Sequence, residues 1–557
     1  MTTSAQLRAL LPTRRDYDLR PRILGADLVA GLTVGVVALP LALAFGVSSG
    51  VGAAAGLVTA VVAGIVAAVF GGSGVQVSGP TGAMAVVLAP VVAAHGIGSV
   101  ALVSVLAGVV VLAAGALRLG RLVTYIPWPV VEGFTLGIAC VIFLQQVPGA
   151  VGAQAPTGLN PAVAAWNSVV AAVTAADGTI AWTLGAAGLV AVVMIVLQRA
   201  APAVPASLVG VALVTVLAEA LDAPIDRIGA LPDSLPLPVL PSADAAALRD
   251  LLGAALAVAA LAAIESLLSA RVASTMTSAA GDGAVYHPDR ELVGQGLASM
   301  ASGLFGGMPA TGAIARTAVN VRSGARTRLA AVTHALVILA VIYLATGPVS
   351  RIPLAALAGV LMVTTTRMIP ARTVMQVVRA SRGTAITFAV TAVITVAFDL
   401  IEAVQIGVLV AAFFTLRSVA GAAGVHREPL PGPAQPGDEH IALFRLDGAM
   451  FFGAADRLLS QVSRDSLRDG VTVVVLRLSG LRMVDATGAK ALAELVHELE
   501  HRGIMVLVKG VKPGHLGLLR TVGVLDELRD ERHVFATLET AIAHARAHVA
   551  ALPDAAS

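Results

Sequence analysis

Apolar segments of membrane-spanning length follow one another along most of this chain. A transmembrane helix needs about 20 residues, and we place fourteen segments, most of about that length, near residues 25–46, 51–70, 78–93, 97–117, 129–148, 180–199, 203–220, 251–270, 291–306, 312–320, 328–346, 353–369, 383–400 and 403–421. With 57% hydrophobic and only 13% charged residues among 557, the chain has more apolar surface than a soluble core can bury. The sequence therefore predicts a polytopic α-helical membrane protein.

The basic residues are concentrated in every second connection between these segments. We place the N-terminus inside because four arginines lie between residues 14 and 22. The connections at Arg118, Arg199 and Arg322 then also lie inside, whereas the loop between residues 146 and 179 lies outside. Fourteen spans return the C-terminus to the cytoplasm, and seven segments per half insert the second half upside down relative to the first. Inverted repeats are typical of alternating-access carriers.

The pattern Thr-Gly-Ala-X-Ala occurs twice, at residues 81–85 and 311–315, each time after a Gly- and Pro-rich stretch. A helix that begins inside the membrane presents unpaired N–H groups and the positive end of its dipole. Two such ends that meet would attract an anion, and glycines such as Gly82 and Gly312 let the backbone approach it. Alternatively, these small residues serve only close helix packing.

Arg316 and Glu265 are charged residues within apolar segments. A cation in the first turn of a helix opposes the dipole, so a negative group should lie near Arg316, either a substrate anion or a protein carboxylate. Glu265 needs a proton, a cation or an arginine close by, and Ser269 lies one helical turn further on. We interpret this pair as a site for a coupling ion; an ion pair between Glu265 and Arg316 is the alternative.

Other classes of function find little support. The formal net charge of +3 is small and its basic residues are scattered, which argues against nucleic acid as a partner. We find no pairing of a nucleophile with a base, no metal-ligand cluster and no phosphate-binding motif, and so expect no enzyme activity, no cofactor and no metal. The single Cys140 excludes a disulfide framework.

Several stretches resemble the sulfate permease family of anion transporters, whose members carry a C-terminal STAS domain. The resemblance rests on "VSGPTGAMAV", "AAIESLLSARVAST" and "GGMPATGAIARTAVNVRSGARTRLAAVTHAL". It implies two inverted seven-helix repeats, divided into a core and a gate domain, and a homodimer. Carried over by position and taken together with the repeated motif, the resemblance implies two sites. The substrate-binding residues are Gly82, Ala83, Met84, Gly312, Ala315, Arg316 and Thr317. The coupling-ion site is formed by Glu265 and Ser269.

The composition changes after the last apolar segment. We expect a cytoplasmic N-terminus at 1–22, a transport domain at 23–422 with repeats at about 23–220 and 250–422, a linker at 423–439 and a STAS domain at 440–550. Strand-like "HIALFRL", "VTVVVLRL" and "IMVLVKG" alternate with helical "FFGAADRLLSQVSR" and "TGAKALAELVHELEHR", which is an α/β order. The helix at "TGAKAL" would use Thr487 as its cap. We expect a regulatory or assembly role for this domain.

The sequence thus predicts a secondary carrier of small anions in the inner (cytoplasmic) membrane. The candidate substrates are carboxylates or dicarboxylates, sulfate and bicarbonate. Because one proton suffices to neutralise Glu265, we expect proton-coupled symport, with the lipid bilayer, the anion and the proton (or sodium) as partners. Sodium-coupled symport, uncoupled exchange, a channel and a membrane-anchored signalling protein are the alternatives.

Overall fold

The chain forms two compact units, Met1–Val408 and Leu409–Ser557. A computed structural model describes residues 12–13, 16–121, 127–153, 159–175, 178–201, 204–241, 245–279, 286–368, 371–398, 400–421, 424–451, 460–463, 465–466 and 470–552. The predicted N-terminal segment 1–22 and the predicted linker 423–439 lie partly outside these residues, and the predicted helix at 451–464 lies largely outside them.

The first half of the first unit is helical except for one two-residue strand. Its elements are α1 (Pro21–Ser48), α2 (Ala53–Phe70), β1 (Ser78–Gly79), α3 (Gly82–His95), α4 (Ser99–Ala116), α5 (Trp128–Val151), α6 (Pro161–Ala175), α7 (Thr179–Ala200) and α8 (Ala206–Ala220). The helix α3 begins at Gly82 of the first Thr-Gly-Ala-X-Ala copy, because the preceding Gly- and Pro-rich stretch does not support a helix.

The second half repeats this order of elements with one additional short helix. It consists of α9 (Ala245–Ala279), α10 (Pro288–Leu304), β2 (Thr311–Gly312), α11 (Ile314–Arg322), α12 (Arg328–Leu344), α13 (Thr346–Ser350), α14 (Leu354–Met368), α15 (Ala371–Ala380), α16 (Arg382–Ala397) and α17 (Leu400–Gly421), the last crossing into the second unit. Within the described residues, seven helices are long and apolar enough to cross a membrane, and the other apolar helices are shorter. The predicted helical membrane fold is confirmed.

Three helices of the first unit fall where no segment is predicted from the sequence. The region 146–179, taken as an external loop, contains α6, and α13 and α15 lie between predicted segments. All three are too short to span a bilayer, so a search for segments of about 20 residues does not find them. The helices α6 and α15 hold the same place counted from the end of each half, directly before the last two helices.

The second unit contains a five-stranded sheet in the order β3-β4-β5-β6-β7. Its strands are β3 (Gly424–Glu428), β4 (Ile441–Met450), β5 (Val473–Val484), β6 (Met505–Lys509) and β7 (Val534–Phe535), and its helices are α18 (Ala486–His501), α19 (Pro513–Thr521) and α20 (Leu538–Ala550). The strand β3 is antiparallel to β4, and the other pairs are parallel.

Alternation along β5 builds two apolar layers in this unit. Val474 and Leu476 pack in the cluster that includes α18, whereas Val473 and Val475 pack with α20 on the opposite face. The predicted cap of α18 is wrong. Asp485, not Thr487, accepts the hydrogen bond from the N–H of Gly488 at 2.7 Å, since it directly precedes the first helical residue.

Candidate functional site

The two Thr-Gly-Ala-X-Ala stretches meet inside the first unit. Strand β1, just before the first copy, pairs antiparallel with β2 in the second copy, with Ser78 opposite Gly312 and Gly79 opposite Thr311. Each strand leads into a helix whose first turn has no side-chain cap. The first N–H groups of α3 and α11 therefore lack intrahelical acceptors, and the two positive helix ends lie at one place.

Glu265 lies where these two stretches meet. The hydroxyl of Thr311 donates to Oε2 of Glu265 at 2.7 Å, and the hydroxyl of Thr81 donates to the same oxygen at 2.9 Å. The two hydroxyl oxygens are 3.1 Å apart. One carboxylate thus contacts both repeated motifs. The sequence analysis did not assign Thr81 and Thr311 to the site, although their place at the head of each motif was a usable signal.

Arg316 lies in the first turn of α11 with only 3% of its surface exposed. Its Nη2 donates to the carbonyl of Pro80, just before α3. Its Nη1 has no hydrogen-bond partner among the described residues, and no ion pair of Arg316 within 4.0 Å occurs among them. The direct pair between Glu265 and Arg316 that the sequence left open is therefore not formed, and the guanidinium keeps a donor for another acceptor.

Ser269 and Thr317 join α9 to α11 beside this point. Their hydroxyl oxygens are 3.2 Å apart, and Thr317 also accepts from the N–H of Val77 at 3.1 Å. One turn earlier in α9, Ser266 accepts from the N–H of Gly312 at 3.0 Å. Ser269 contacts Thr317 rather than Glu265, so the predicted coupling-ion pair shares a helix face without forming a hydrogen bond.

The remaining predicted substrate-binding residues divide into two groups. Gly82, Ala83 and Met84 are buried, and a methyl group on Gly82 would overlap Cδ1 of Ile142. These three residues can therefore offer a ligand only their backbone N–H groups. Ala315, in contrast, is exposed in the first turn of α11.

A second buried carboxylate, Glu291 in α10, supports the loop that leads to β1. Its Oε2 accepts from the N–H groups of Gly72 and Ser73 at 2.8 and 3.0 Å, and its Oε1 accepts from the side-chain amides of Gln76 and Gln295 at 2.8 and 2.9 Å. The amide of Gln295 also donates to Ser78 of β1 at 2.6 Å. Glu291 was not predicted from the sequence because it stands at the end of a predicted segment, where a carboxylate can reach water.

The N-terminal segment is tied to two buried arginines. Asp16 accepts two hydrogen bonds from Arg290, at 2.9 and 3.1 Å, and lies 3.7 Å from Arg328. Partial burial raises the pKa of the Asp16 carboxyl, but the bonds from Arg290 and Thr13 and the charge of Arg328 outweigh it and lower the pKa to about 2. Asp16 therefore keeps its negative charge throughout the physiological pH range.

Comparison with known proteins agrees with these features. The sulfate permease family model matches residues 24–391, and the STAS domain model matches residues 433–541. The chain is 32% identical to the putative sulfate transporter YvdB of Bacillus subtilis, over 91% of this chain and 95% of that protein. It is 33% identical to the bicarbonate transporter BicA of Synechocystis sp., over 80% of each.

Solved structures show the same fold. The murine Slc26a9 anion transporter in its inward-facing state superposes with a TM-score of 0.81 and 17% identity, covering 98% of this chain and 95% of that one. The transmembrane domain of a cyanobacterial bicarbonate transporter, BicA, gives a TM-score of 0.62 and 31% identity, covering 71% and 98%. This chain therefore belongs to the sulfate permease family of anion transporters and carries a C-terminal STAS domain.

Proposed function

We propose that the protein is a cation-coupled carrier of a small anion that works by alternating access. The anion is held between the N-terminal ends of α3 and α11, beside Arg316. The observation that carries this proposal is a buried guanidinium whose Nη1 has no hydrogen-bond partner in the described part of the chain, next to two helix ends without side-chain caps. Such a positive environment costs free energy in an apolar core unless a negative group binds to it.

The position of Glu265 supports coupling to a cation. Its carboxylate contacts Thr81 and Thr311, which belong to the two stretches that form the anion site. A negative charge at this place weakens the attraction for an anion, and a bound proton or sodium ion removes that opposition. Anion and cation therefore bind best together, which is the requirement for symport.

A proton is the simplest coupling ion, because one proton neutralises Glu265. Sodium is the second candidate, and one observation favours it: two threonine hydroxyl oxygens lie within 3.1 Å of one another at the Glu265 carboxylate. Several oxygens at one place suit a hard cation.

The substrate class follows from size and charge. Helix ends and a guanidinium suit small oxyanions, and the relatives include a putative sulfate transporter and bicarbonate transporters. We propose sulfate, bicarbonate or a small carboxylate as the transported anion.

Uptake of labelled sulfate, bicarbonate, chloride and carboxylates into proteoliposomes tests this function, with proton and sodium gradients applied separately. We expect one anion to accumulate with one of the two gradients. Arg316→Gln should raise the half-saturating anion concentration at least about tenfold, because it removes a charged donor worth roughly 1.5–3 kcal/mol. Glu265→Gln should abolish accumulation while anion exchange continues.

The matched control is Glu132→Gln, which removes a carboxylate in the first turns of α5 that accepts a hydrogen bond from Trp128 instead of lying at the site. It should transport like the wild type. Uptake that is unchanged by either gradient, together with wild-type transport by the Glu265→Gln variant, would support an uncoupled exchanger or channel and contradict symport.

A further inference from the structure

His334 in α12 is a buried polar residue for which the proposed transport cycle has no role. Its surface is 0% exposed, and neither ring nitrogen makes a hydrogen bond of ordinary geometry among the described residues, although the backbone of Ala331, one turn earlier in α12, lies close to the ring. Nη1 of Arg316 is buried and unpartnered in the same way. An unsatisfied buried polar group costs about 1–3 kcal/mol, so three such atoms in one region point to a polar ligand between them.

These atoms border the same stretch of α2 and β1. A methyl group on Gly64 of α2 would lie 4.0 Å from Nδ1 of His334 and 3.6 Å from the carbonyl oxygen of Ser78. A methyl group on Gly79 would lie 2.8 Å from Nη1 of Arg316 and 3.5 Å from Cα of Ala60. Because Ala60 and Gly64 are one helical turn apart on one face of α2, the imidazole and the guanidinium approach neighbouring points of this face.

A water molecule can form hydrogen bonds with all of these groups at once. The guanidinium can only donate, the Ser78 carbonyl can only accept, and a neutral imidazole offers one nitrogen of each kind. A water molecule can accept from Arg316 and donate to both the imidazole and the carbonyl, which gives it the usual number of partners for a buried water. Ala60 and Gly64 carry no side chain larger than a methyl group on this face of α2.

We propose that one or two internal water molecules bridge His334 to Arg316, and that His334 is a positioning residue for anion binding. The bridge accepts from one of the two N–H groups of Nη1 and leaves the other for the anion, while the carbonyl of Pro80 fixes Nη2. A guanidinium held at both ends loses less conformational freedom when the anion arrives. This inference rests on the proposed role of Arg316.

The test measures the KM for uptake of labelled sulfate and labelled bicarbonate into proteoliposomes. His334→Leu, which fills the space without polar atoms, should raise the KM about tenfold with a smaller change in the maximal rate. His334→Gln, which keeps a donor and an acceptor, should stay within about twofold of wild type. Gly64→Ala, which places a methyl group in the proposed water position, should reproduce the effect of His334→Leu.

Two further variants separate this role from a structural one. Ile338→Ala, one turn along α12 and equally buried, should lower thermal stability and leave the KM unchanged. In an Arg316→Gln background, His334→Leu should add nothing to the KM, because the group that it positions is gone. An unchanged KM in His334→Leu, or effects of the two substitutions that multiply, would overturn the proposal. A normal KM in Arg316→Gln alone would reject the anion site itself, whatever the His334 variants do.

Discussion

At Gly312 the backbone of β2 passes close to the side chain of Gln76. A methyl group on Gly312 would overlap Nε2 of Gln76 and would lie 3.1 Å from Cβ of Ser269. Neither neighbour can retreat freely, since Gln76 is hydrogen-bonded to the buried Glu291 and Ser269 is itself fully buried. Steric contact therefore excludes a larger residue than glycine at position 312, the glycine of the second motif copy, within the candidate site.

Gly312→Ala should accordingly reduce anion uptake at least about tenfold and lower the thermal midpoint, because overpacking of this kind typically costs 1–3 kcal/mol. Uptake and thermal unfolding in detergent measure both effects. Gly253→Ala in α9 is the control, since a methyl group there meets nothing within 4 Å. Equal behaviour of the two variants would contradict the steric reading of Gly312.

Single residues differ in how well the sequence revealed them. Arg316 and Glu265 stood out because a charge in an apolar segment is expensive and needs a reason. Thr81 and Thr311 did not, because their shared partner becomes visible only when two segments 230 residues apart are brought together. His334 was not identified for a similar reason. The sequence shows a single histidine in an apolar segment but does not show which residues of other segments lie within hydrogen-bond distance of its ring nitrogens.

Helices were easier to predict than the contacts that hold the site. Apolar length located helices such as α1 and α10, and the Gly- and Pro-rich stretches marked the starts of the short helices α3 and α11. The helices α6, α13 and α15 were missed because they are short. The pairing of β1 with β2 was also missed, since a two-residue strand has no period that a sequence pattern can show.

The loop before β1 is held by hydrogen bonds to the carboxylate of Glu291. We therefore expect Glu291→Gln to destabilise the protein. The amide keeps one acceptor oxygen but turns an NH₂ group toward donors that Glu291 now satisfies. The free energy of unfolding should fall by roughly 3 kcal/mol, as for other broken buried networks, and anion affinity should fall because β1 is less well held. Thermal unfolding and the KM for uptake measure the two effects.

Glu219→Gln provides the comparison for this variant. Glu219 pairs with Arg227 at 2.8 Å, but both side chains are about one-third exposed, and such pairs contribute little. If both glutamine variants unfold at the wild-type temperature, Glu291 does not support the loop.

Across the whole molecule, the two units should respond to acid differently. In the STAS domain, burial and the neighbouring His544 lower the pKa of His533 below its ordinary value of 6.5, and burial and Arg529 lower that of His548. These two histidines are therefore harder to protonate in the folded domain than in the unfolded chain. The free energy of unfolding of the domain falls as the pH drops below about 6.5. In the first unit, Asp16 stabilises the fold above its ordinary pKa of 3.8, and this contribution is lost only as the pH falls through about 2.

We therefore expect acidification from pH 7.5 to 5.5 to loosen α20 while the contact between Asp16 and Arg290 persists. Hydrogen exchange, corrected for intrinsic rates, should accelerate in α20 and stay constant at the start of α10. His533→Gln should weaken the response of α20 to acid, whereas a substitution of the exposed His426 on β3 should leave it unchanged. Equal responses in all three proteins would contradict a role for His533.

The pairing of β1 with β2 also has a consequence for how the protein is made. When β1 leaves the ribosome, its partner strand, Arg316 and the carboxylates of Glu265 and Glu291 have not yet been synthesised. The loop from Gly72 to Ser78 is therefore synthesised before most of the groups that bind its polar atoms. A half-made chain accordingly holds no complete site for an anion, and the membrane gains a working pathway only after the second half has been inserted.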